Sequence, residues 1–232
     1  VKVLVIASAN PHKVAQLQEW MKQVSSEIKV VGTRQFGMAP LVAEDAETFA
    51  GNACLKANGI ASWIRELSAT QANETWVLAD DSGLCVDALD GAPGLYSARY
   101  AGEGASDGQN NRRLVEELAA RGRESSPAHY FCALALRPVA PPIANAELMA
   151  FASAAGCRIA DECLIVEGRC DGQARIDSRG EGGFGYDPHF WVEDGARTFA
   201  EIDSSTKADI SHRGRALRKL AEILARLRLA RT

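Results

Sequence analysis

The chain opens on an uninterrupted apolar run. Residues 1–7 are mostly β-branched and aliphatic, the composition of a strand buried on both faces. Asn10-Pro11 ends the run. Asn10 can cap a helix with Pro11 at its first position, and Val14, Leu17 and Met21 follow at helical spacing. A second short strand is predicted over 28–31. Residues 48–67 place Phe49, Ala53, Ala57, Ile60, Ile64 and Leu67 on one stripe, which predicts a long helix. The run 75–79 predicts a strand that feeds directly into Asp80-Asp81-Ser82-Gly83. Glycines and Pro93 punctuate 83–108, which reads as loop and turn. A helix is predicted near 110–121 and a strand over 130–137, broken by Pro138, Pro141 and Pro142. Strand-like runs recur near 147–154, 163–168 and 188–192. Residues 213–228 form an amphipathic helix with Leu217, Leu220, Ile223, Leu224 and Leu227 on one face. The mixture predicts an α/β fold, a central sheet flanked by helices, with no internal repeat.

Composition narrows the function classes. The 232 residues hold 26 basic and 30 acidic side chains, so 26 − 30 gives a net charge of −4. That balance argues against a dedicated duplex-binding protein, which presents a strongly basic face. A small anionic substrate is still compatible, because a pocket needs only a few local cations. Hydrophobic content of 47% with 24% charged residues is ordinary for a globular chain and excludes general disorder. Cys54, Cys85, Cys132, Cys157, Cys163 and Cys170 include no C-x-x-C pair and sit mostly in apolar runs. They read as buried thiols of a reduced intracellular protein, not as a disulfide framework or a zinc site. No apolar stretch approaches the roughly 20 residues that span a bilayer, and the first apolar run is too short for a signal peptide. A cytoplasmic chain with no membrane partner is expected.

Several segments carry candidate chemistry, each with a plainer alternative. Gly180-Glu181-Gly182-Gly183-Phe184-Gly185 matches G-x-G-x-x-G, but Tyr186-Asp187-Pro188 follows it where a dinucleotide fingerprint needs a helix. The surviving reading is a flexible, backbone-exposed loop carrying one aromatic ring, Phe184. Asp80-Asp81 falls at a predicted strand end, the ligand-binding edge of α/β folds. Neighbours on a strand point to opposite faces, so one of the pair can orient a metal or a water while the other caps the next turn. Glu44, Asp45 and Glu47 precede the long helix, either complementing its dipole or binding a hard cation. Lys56 lies among small apolar residues, either snorkelling or reaching a phosphate. The segment 8–13 joins strand to helix with a hydroxyl, an amide side chain and a lysine, which makes either an ordinary cap or an anion site. Ser211 can cap the last helix; the tail also carries Arg218, Lys219, Arg226, Arg228 and Arg231 against Glu222, a basic run that reads as a solvated helical face.

Taken together these segments resemble the inosine triphosphate pyrophosphatase family, which hydrolyses noncanonical purine nucleoside triphosphates. The matching pieces are Ser8-Ala9-Asn10-Pro11-His12-Lys13, Thr48-Phe49 through Asn52-Ala53 to Lys56-Ala57, and Asp80-Asp81-Ser82-Gly83-Leu84. Gly91-Ala92-Pro93-Gly94-Leu95-Tyr96-Ser97-Ala98-Arg99-Tyr100, Gly183-Phe184-Gly185-Tyr186-Asp187-Pro188, Lys207 and Ser211-His212-Arg213-Gly214 complete the set in the family's order. Residues 138–170 depart from it, being longer than the family's usual segment.

The resemblance implies one pyrophosphatase domain over 1–232, an elongated mixed sheet in two lobes with an active-site cleft between them, and a homodimer. It implies a small-molecule purine nucleoside triphosphate as substrate, with no nucleic acid, cleaved to monophosphate and pyrophosphate. Mg²⁺ would be held by Glu44 and Asp81, with Asp81 also orienting or deprotonating the attacking water. Ser8, Asn10, Lys13 and Lys56 would hold the phosphates, Lys56 and Asp80 supporting the catalytic carboxylate. The base would stack on Phe184, with Ser82, Tyr186, Asp187, Lys207, His212 and Arg213 completing the substrate contacts. Two other readings stay open on the residues themselves. One is a phosphatase releasing orthophosphate; the other is a binding module for nucleic acid, against which the clustered acids argue because carboxylates repel phosphates.

Overall fold

The computed structural model describes residues 3–8, 11–24, 28–67, 74–140, 152–192 and 195–229. Its sheet is mixed and has seven strands in the order β2-β1-β3-β4-β6-β5, with β7 pairing β6. These are β1 (Val3–Ala7), β2 (Lys29–Gly32), β3 (Thr75–Val86), β4 (Ser125–Pro138), β5 (Arg158–Ala160), β6 (Cys163–Arg175) and β7 (Phe190–Val192). The helices are α1 (Pro11–Val24), α2 (Phe49–Leu67), α3 (Asp107–Ala120), α4 (Ser204–Ile210) and α5 (His212–Leu229). The chain divides into two compact units, one drawn from 1–81, 133–167 and 216–232, the other from 82–132 and 168–215.

In the first unit β1 runs parallel to both neighbours, with Val5 opposite Val31 and Val77. Parallel neighbours cannot be joined by a tight turn, so α1 makes the crossover from β1 to β2. Leu4, Val5 and Ile6 are buried, as the unbroken apolar run requires. Leu17 and Met21 of α1, Ala53, Ala57, Ile60 and Ile64 of α2, and Leu220, Ile223 and Leu224 of α5 are buried with them. Each such leucine or isoleucine contributes roughly 1.5–3 kcal/mol relative to exposure. Asn10, the expected cap of α1, lies outside the described residues. The β5–β6 hairpin turns on Asp161 and Glu162, both at positive φ (50° and 61°). Asn58 donates to the Asp161 carbonyl at 3.0 Å and Arg137 pairs with Glu162 at 2.6 Å, holding a turn that lacks the usual Asn-Gly pair.

The second unit is built on aromatic rings. Tyr130 stands 4.8 Å from Phe190 and 5.7 Å from Phe199, and His212 lies parallel to it at 4.7 Å. Leu84, Val86, Leu114 and Leu118 close this core. Ser106 and Gln109 form a reciprocal capping box at the start of α3. Ser211 accepts the Gly214 N–H at 3.1 Å and caps α5 as expected. A side chain at Gly214 would land on the Ala208 carbonyl, so only glycine permits the tight passage from α4 to α5.

Four sequence expectations change. β3 does not stop at 79: it continues through Asp80 and Asp81 to Val86, so the pair sits within a strand and Asp80 caps no turn. Residues 83–86 are therefore strand, and α3 begins at Asp107, inside the expected loop. The strand-like run 147–154 falls mostly outside the described residues, and its described end, 152–154, is helical. β6 runs seven residues past 168, because its Gly172 faces β7 where the Trp191 carbonyl and the Phe190 ring fill the space a side chain would need. The short α4 was not expected; none of its residues is buried, so it lacks an apolar stripe. Among the described residues no helix is long and apolar enough to cross a membrane. All six cysteines are free thiols, five of them buried.

Candidate active site

Residue alternation along β3 sends Asp80 and Asp81 to opposite faces. On one face Lys13, from the first turn of α1, meets Asp80 at 2.6 Å, the carboxylate having no exposed surface. On the other, Lys56 of α2 donates to Asp81 Oδ1 at 3.1 Å and to Glu44 Oε2 at 2.8 Å. One ammonium thus gathers two carboxylates from distant parts of the sequence. Burial works against the Lys56 charge, but Asp81 and Glu44 together outweigh it and hold its pKa above the ordinary lysine value. Burial likewise pushes the Asp81 carboxyl above the ordinary carboxylate range, against the pull of Lys56 and Lys13. Asp81 Oδ2 is buried and has no hydrogen-bond partner among the described residues. Ser8 follows β1 directly and is half-buried.

The donor set fits a magnesium ion in part. Two carboxylates already converge on one cation, and one of their oxygens is buried without a hydrogen-bond partner. Mg²⁺ is usually held by one or two carboxylates plus substrate phosphates and water. Among the described residues no group of three or more His, Cys, Asp or Glu side chains could hold a metal by itself. Substrate oxygens would have to complete the coordination.

Glu44 lies in an irregular segment, so something must fix its backbone. Asn52, 2% exposed, accepts the Ala46 N–H at 2.9 Å, one helical turn before Lys56. Thr48 caps α2 by accepting the Gly51 N–H at 3.0 Å, and a side chain at Gly51 would press on Ala46. Asn52 belongs to the motif that flagged the helix, yet sequence reading gave it no task. Its signal was a polar residue at core spacing on an apolar stripe. Asn52→Ala is expected to cut activity about tenfold and to raise the metal concentration needed, as supporting residues commonly do. Metal-titrated kinetics check this, and an unchanged profile in the folded variant would contradict it.

The second unit gathers another set. Asp187, 3% exposed, accepts the Phe184 N–H at 2.8 Å and pairs with Lys207. Burial pushes its carboxyl up, while Lys207, the Phe184 N–H and Arg213 oppose. Lys207 Nζ lies 5.2 Å from the Phe184 ring centre, and Arg213 Cζ lies 5.9 Å from it. Arg213 also donates to Ser82 Oγ at 2.9 Å. The half-buried ring of Phe184 is therefore flanked by two cations. Tyr186 and His212 turn toward the core: the Tyr186 hydroxyl donates to the Ser97 carbonyl at 2.8 Å, and His212 stacks on Tyr130. The glycine-rich loop is exposed over 180–183, as expected, but it is tied to the rest of its unit at two backbone N–H groups. Gly182 N–H donates to the Ala200 carbonyl at 3.2 Å, and Gly185 N–H to Asp107 at 2.6 Å. Asp107 and Asn111, both of α3, were not expected to act on this loop; they lie more than 70 positions away, and no local pattern links them.

The fold and these clusters define a mixed α/β protein with a lysine–carboxylate group on a central strand and a cation-flanked aromatic loop. The chain belongs to the Ham1 family, whose model matches residues 4–223. It is 40% identical over 224 residues to a dITP/XTP pyrophosphatase of Desulforamulus reducens, covering 97% of this chain and 96% of that one. A dITP/XTP pyrophosphatase of Bacillus anthracis is 41% identical over 221 residues, covering 95% of each. Among solved structures, a HAM1 protein from Coxiella burnetii superimposes with a TM-score of 0.76 at 35% identity, covering 97% of this chain and all of that one.

Proposed function

We infer that the protein hydrolyses noncanonical purine nucleoside triphosphates (dITP, ITP and XTP) to the monophosphate and pyrophosphate. The observation that carries this is the convergence of Lys56, Glu44 and Asp81, in a chain about 40% identical to dITP/XTP pyrophosphatases over nearly its whole length. Both units are read as one domain, because the family model runs through them. A cytoplasmic homodimer is the proposed working state.

A triphosphate carries several negative charges, so catalysis rests mainly on positioning and charge neutralisation. Ser8, Asn10, Lys13 and Lys56 would hold the phosphates. Glu44 and Asp81 would hold Mg²⁺, which when bound neutralises phosphate charge as attack proceeds. Asp81 would orient the attacking water and take its proton, a task suited to a carboxyl whose pKa burial has raised. Asp80, tied to Lys13, would support that carboxylate site from the opposite face.

The purine would stack on Phe184, with Lys207 and Arg213 beside it and Ser82 fixing Arg213. Asp187 would set the backbone of Phe184, while Tyr186 and His212 would act through the packing beneath the loop. Hypoxanthine and xanthine present an acceptor at position 6, where adenine presents an amino group. Cationic donors at that edge would be left unpaired by adenine, which disfavours ATP.

Product analysis tests the reaction. Incubation with dITP and Mg²⁺ is expected to yield monophosphate and pyrophosphate in equal amounts. Orthophosphate and a diphosphate would instead identify a phosphatase. Phe184→Ala tests the base site: base–aromatic stacking is worth about 1–3 kcal/mol, so KM is expected to rise roughly 5- to 150-fold. The half-buried ring contributes little to the core, so the melting temperature is expected to hold within a few degrees. A large loss of stability with unchanged KM would make Phe184 a packing residue.

A further inference from the structure

Both backbone polar groups of Gly185, which belong to the two successive peptide units that flank its Cα, are held by one helix. Asp107, at the first position of α3, accepts the Gly185 N–H at 2.6 Å through Oδ2. Asn111, one turn further along, donates from Nδ2 to the Gly185 carbonyl at 2.9 Å. Residues four apart share a helix face, so the two side chains can act as a fork on a single residue. Gly185 stands at positive φ (63°) directly after Phe184. On the other side of the ring, Asp187 accepts the Phe184 N–H at 2.8 Å. The backbone on either side of the aromatic ring is thus fixed by side chains.

The grip has a cost that marks it as more than incidental packing. Asn111 Oδ1 is buried and has no hydrogen-bond partner among the described residues. A buried unsatisfied amide oxygen is unfavourable, and native structures hold few of them. Flipping the amide would turn that oxygen toward the Gly185 carbonyl and set two acceptors against each other. The observed orientation leaves one acceptor without a partner in order to hold the loop carbonyl.

We propose that Asp107 and Asn111 are positioning residues for substrate binding: by fixing the backbone on both sides of the Gly185 Cα they hold the Phe184 ring where the purine stacks. This rests on the reading of Phe184 as the base platform. Neither residue reaches the reacting phosphates in this scheme, so their effect falls on binding and not on turnover. An interaction that acts equally on bound substrate and transition state changes KM and leaves kcat alone.

The test is steady-state kinetics of the full chain with dITP, following pyrophosphate, for Asp107→Ala, Asp107→Asn, Asn111→Ala and Phe184→Ala. The two clamp alanine variants are combined in turn with Phe184→Ala. One lost hydrogen bond is expected to raise KM about threefold to tenfold in Asp107→Ala and in Asn111→Ala, with kcat within about twofold. Asp107→Asn removes the helix-terminal charge but keeps an oxygen for the Gly185 N–H, so KM is expected to return to within about twofold of the parent. In the Phe184→Ala background neither clamp variant should raise KM further, because their effect passes through the ring. Unchanged KM in both single variants, or an equal rise with and without Phe184, would overturn the proposal. If one variant does not fold, the other carries the test, since each holds a different backbone group of the same residue. Phe184→Ala serves as the internal reference. If it leaves KM unchanged, the base-site reading falls and the clamp falls with it; if it raises KM and the clamp variants do not, the clamp alone is wrong.

Discussion

Asp81→Asn is expected to lower kcat by about 100- to 10,000-fold in a protein that still folds, the range associated with removing a general base. The substitution keeps the outline of the side chain. Its amide oxygen can still accept from Lys56, which also retains Glu44 at 2.8 Å. The change is at Oδ2, a buried oxygen with no hydrogen-bond partner among the described residues. There a negatively charged acceptor becomes an NH₂ group, which can neither take a proton from water nor bind a cation. Lys56 keeps Glu44 and an oxygen at position 81, so its charge is not left uncompensated and the cost to the fold is limited. A melting temperature within a few degrees of the parent, together with collapsed turnover, is the expected pair of results. Turnover retained in the folded variant would remove Asp81 from the chemistry.

Gly183→Ala is expected to damage the other cluster by a single methyl group. Gly183 stands at φ +76°, and a Cβ built there falls on Asp187 Oδ2. That oxygen accepts the Phe184 N–H and pairs with Lys207. The methyl therefore forces the carboxylate away from both partners. Breaking a buried ion pair costs about 3–5 kcal/mol, and a left-handed alanine adds roughly 1–2 kcal/mol. For a chain of this size that total lowers the melting temperature by roughly 10–25 °C. The loosened aromatic loop should also raise KM for dITP at least about tenfold. Thermal melting and steady-state kinetics read the two effects separately. A variant that melts within about 2 °C of the parent with unchanged KM would show that the glycine is not required here.

The contrast between the two clusters shows what a sequence carries. The elements were legible where periodicity was strong: α1, α2 and α5 follow their apolar stripes, and β1 its unbroken run. β3 was misread because two adjacent aspartates resemble a turn. Only the lysines arriving from α1 and α2 explain how a strand buries both. The extension of β6 past its glycines depends on β7 filling the space beside Gly172, a contact no local window contains. Lys56 is legible on its helix, but its meeting with Asp81 and Glu44 is long-range. Asn52, Asp107 and Asn111 were overlooked for the same reason. Each acts on the backbone of another segment, and a backbone partner leaves no mark in side-chain identity. The exposure of the glycine loop is legible locally, but its tethers are not, because the acceptors, Asp107 and the Ala200 carbonyl, lie elsewhere in the chain.

The selectivity proposed is for ITP and XTP over ATP, set by the acceptor at position 6 that adenine lacks. It is tested by comparing pyrophosphate release from ITP, XTP and ATP, each with and without Mg²⁺, under one set of conditions. Mg²⁺-dependent release is expected to be fast for ITP and XTP and at least about 100-fold slower in kcat/KM for ATP, since donors left unpaired by adenine disfavour it. Equal rates for ITP and ATP, or pyrophosphate release that is indifferent to Mg²⁺, would contradict it.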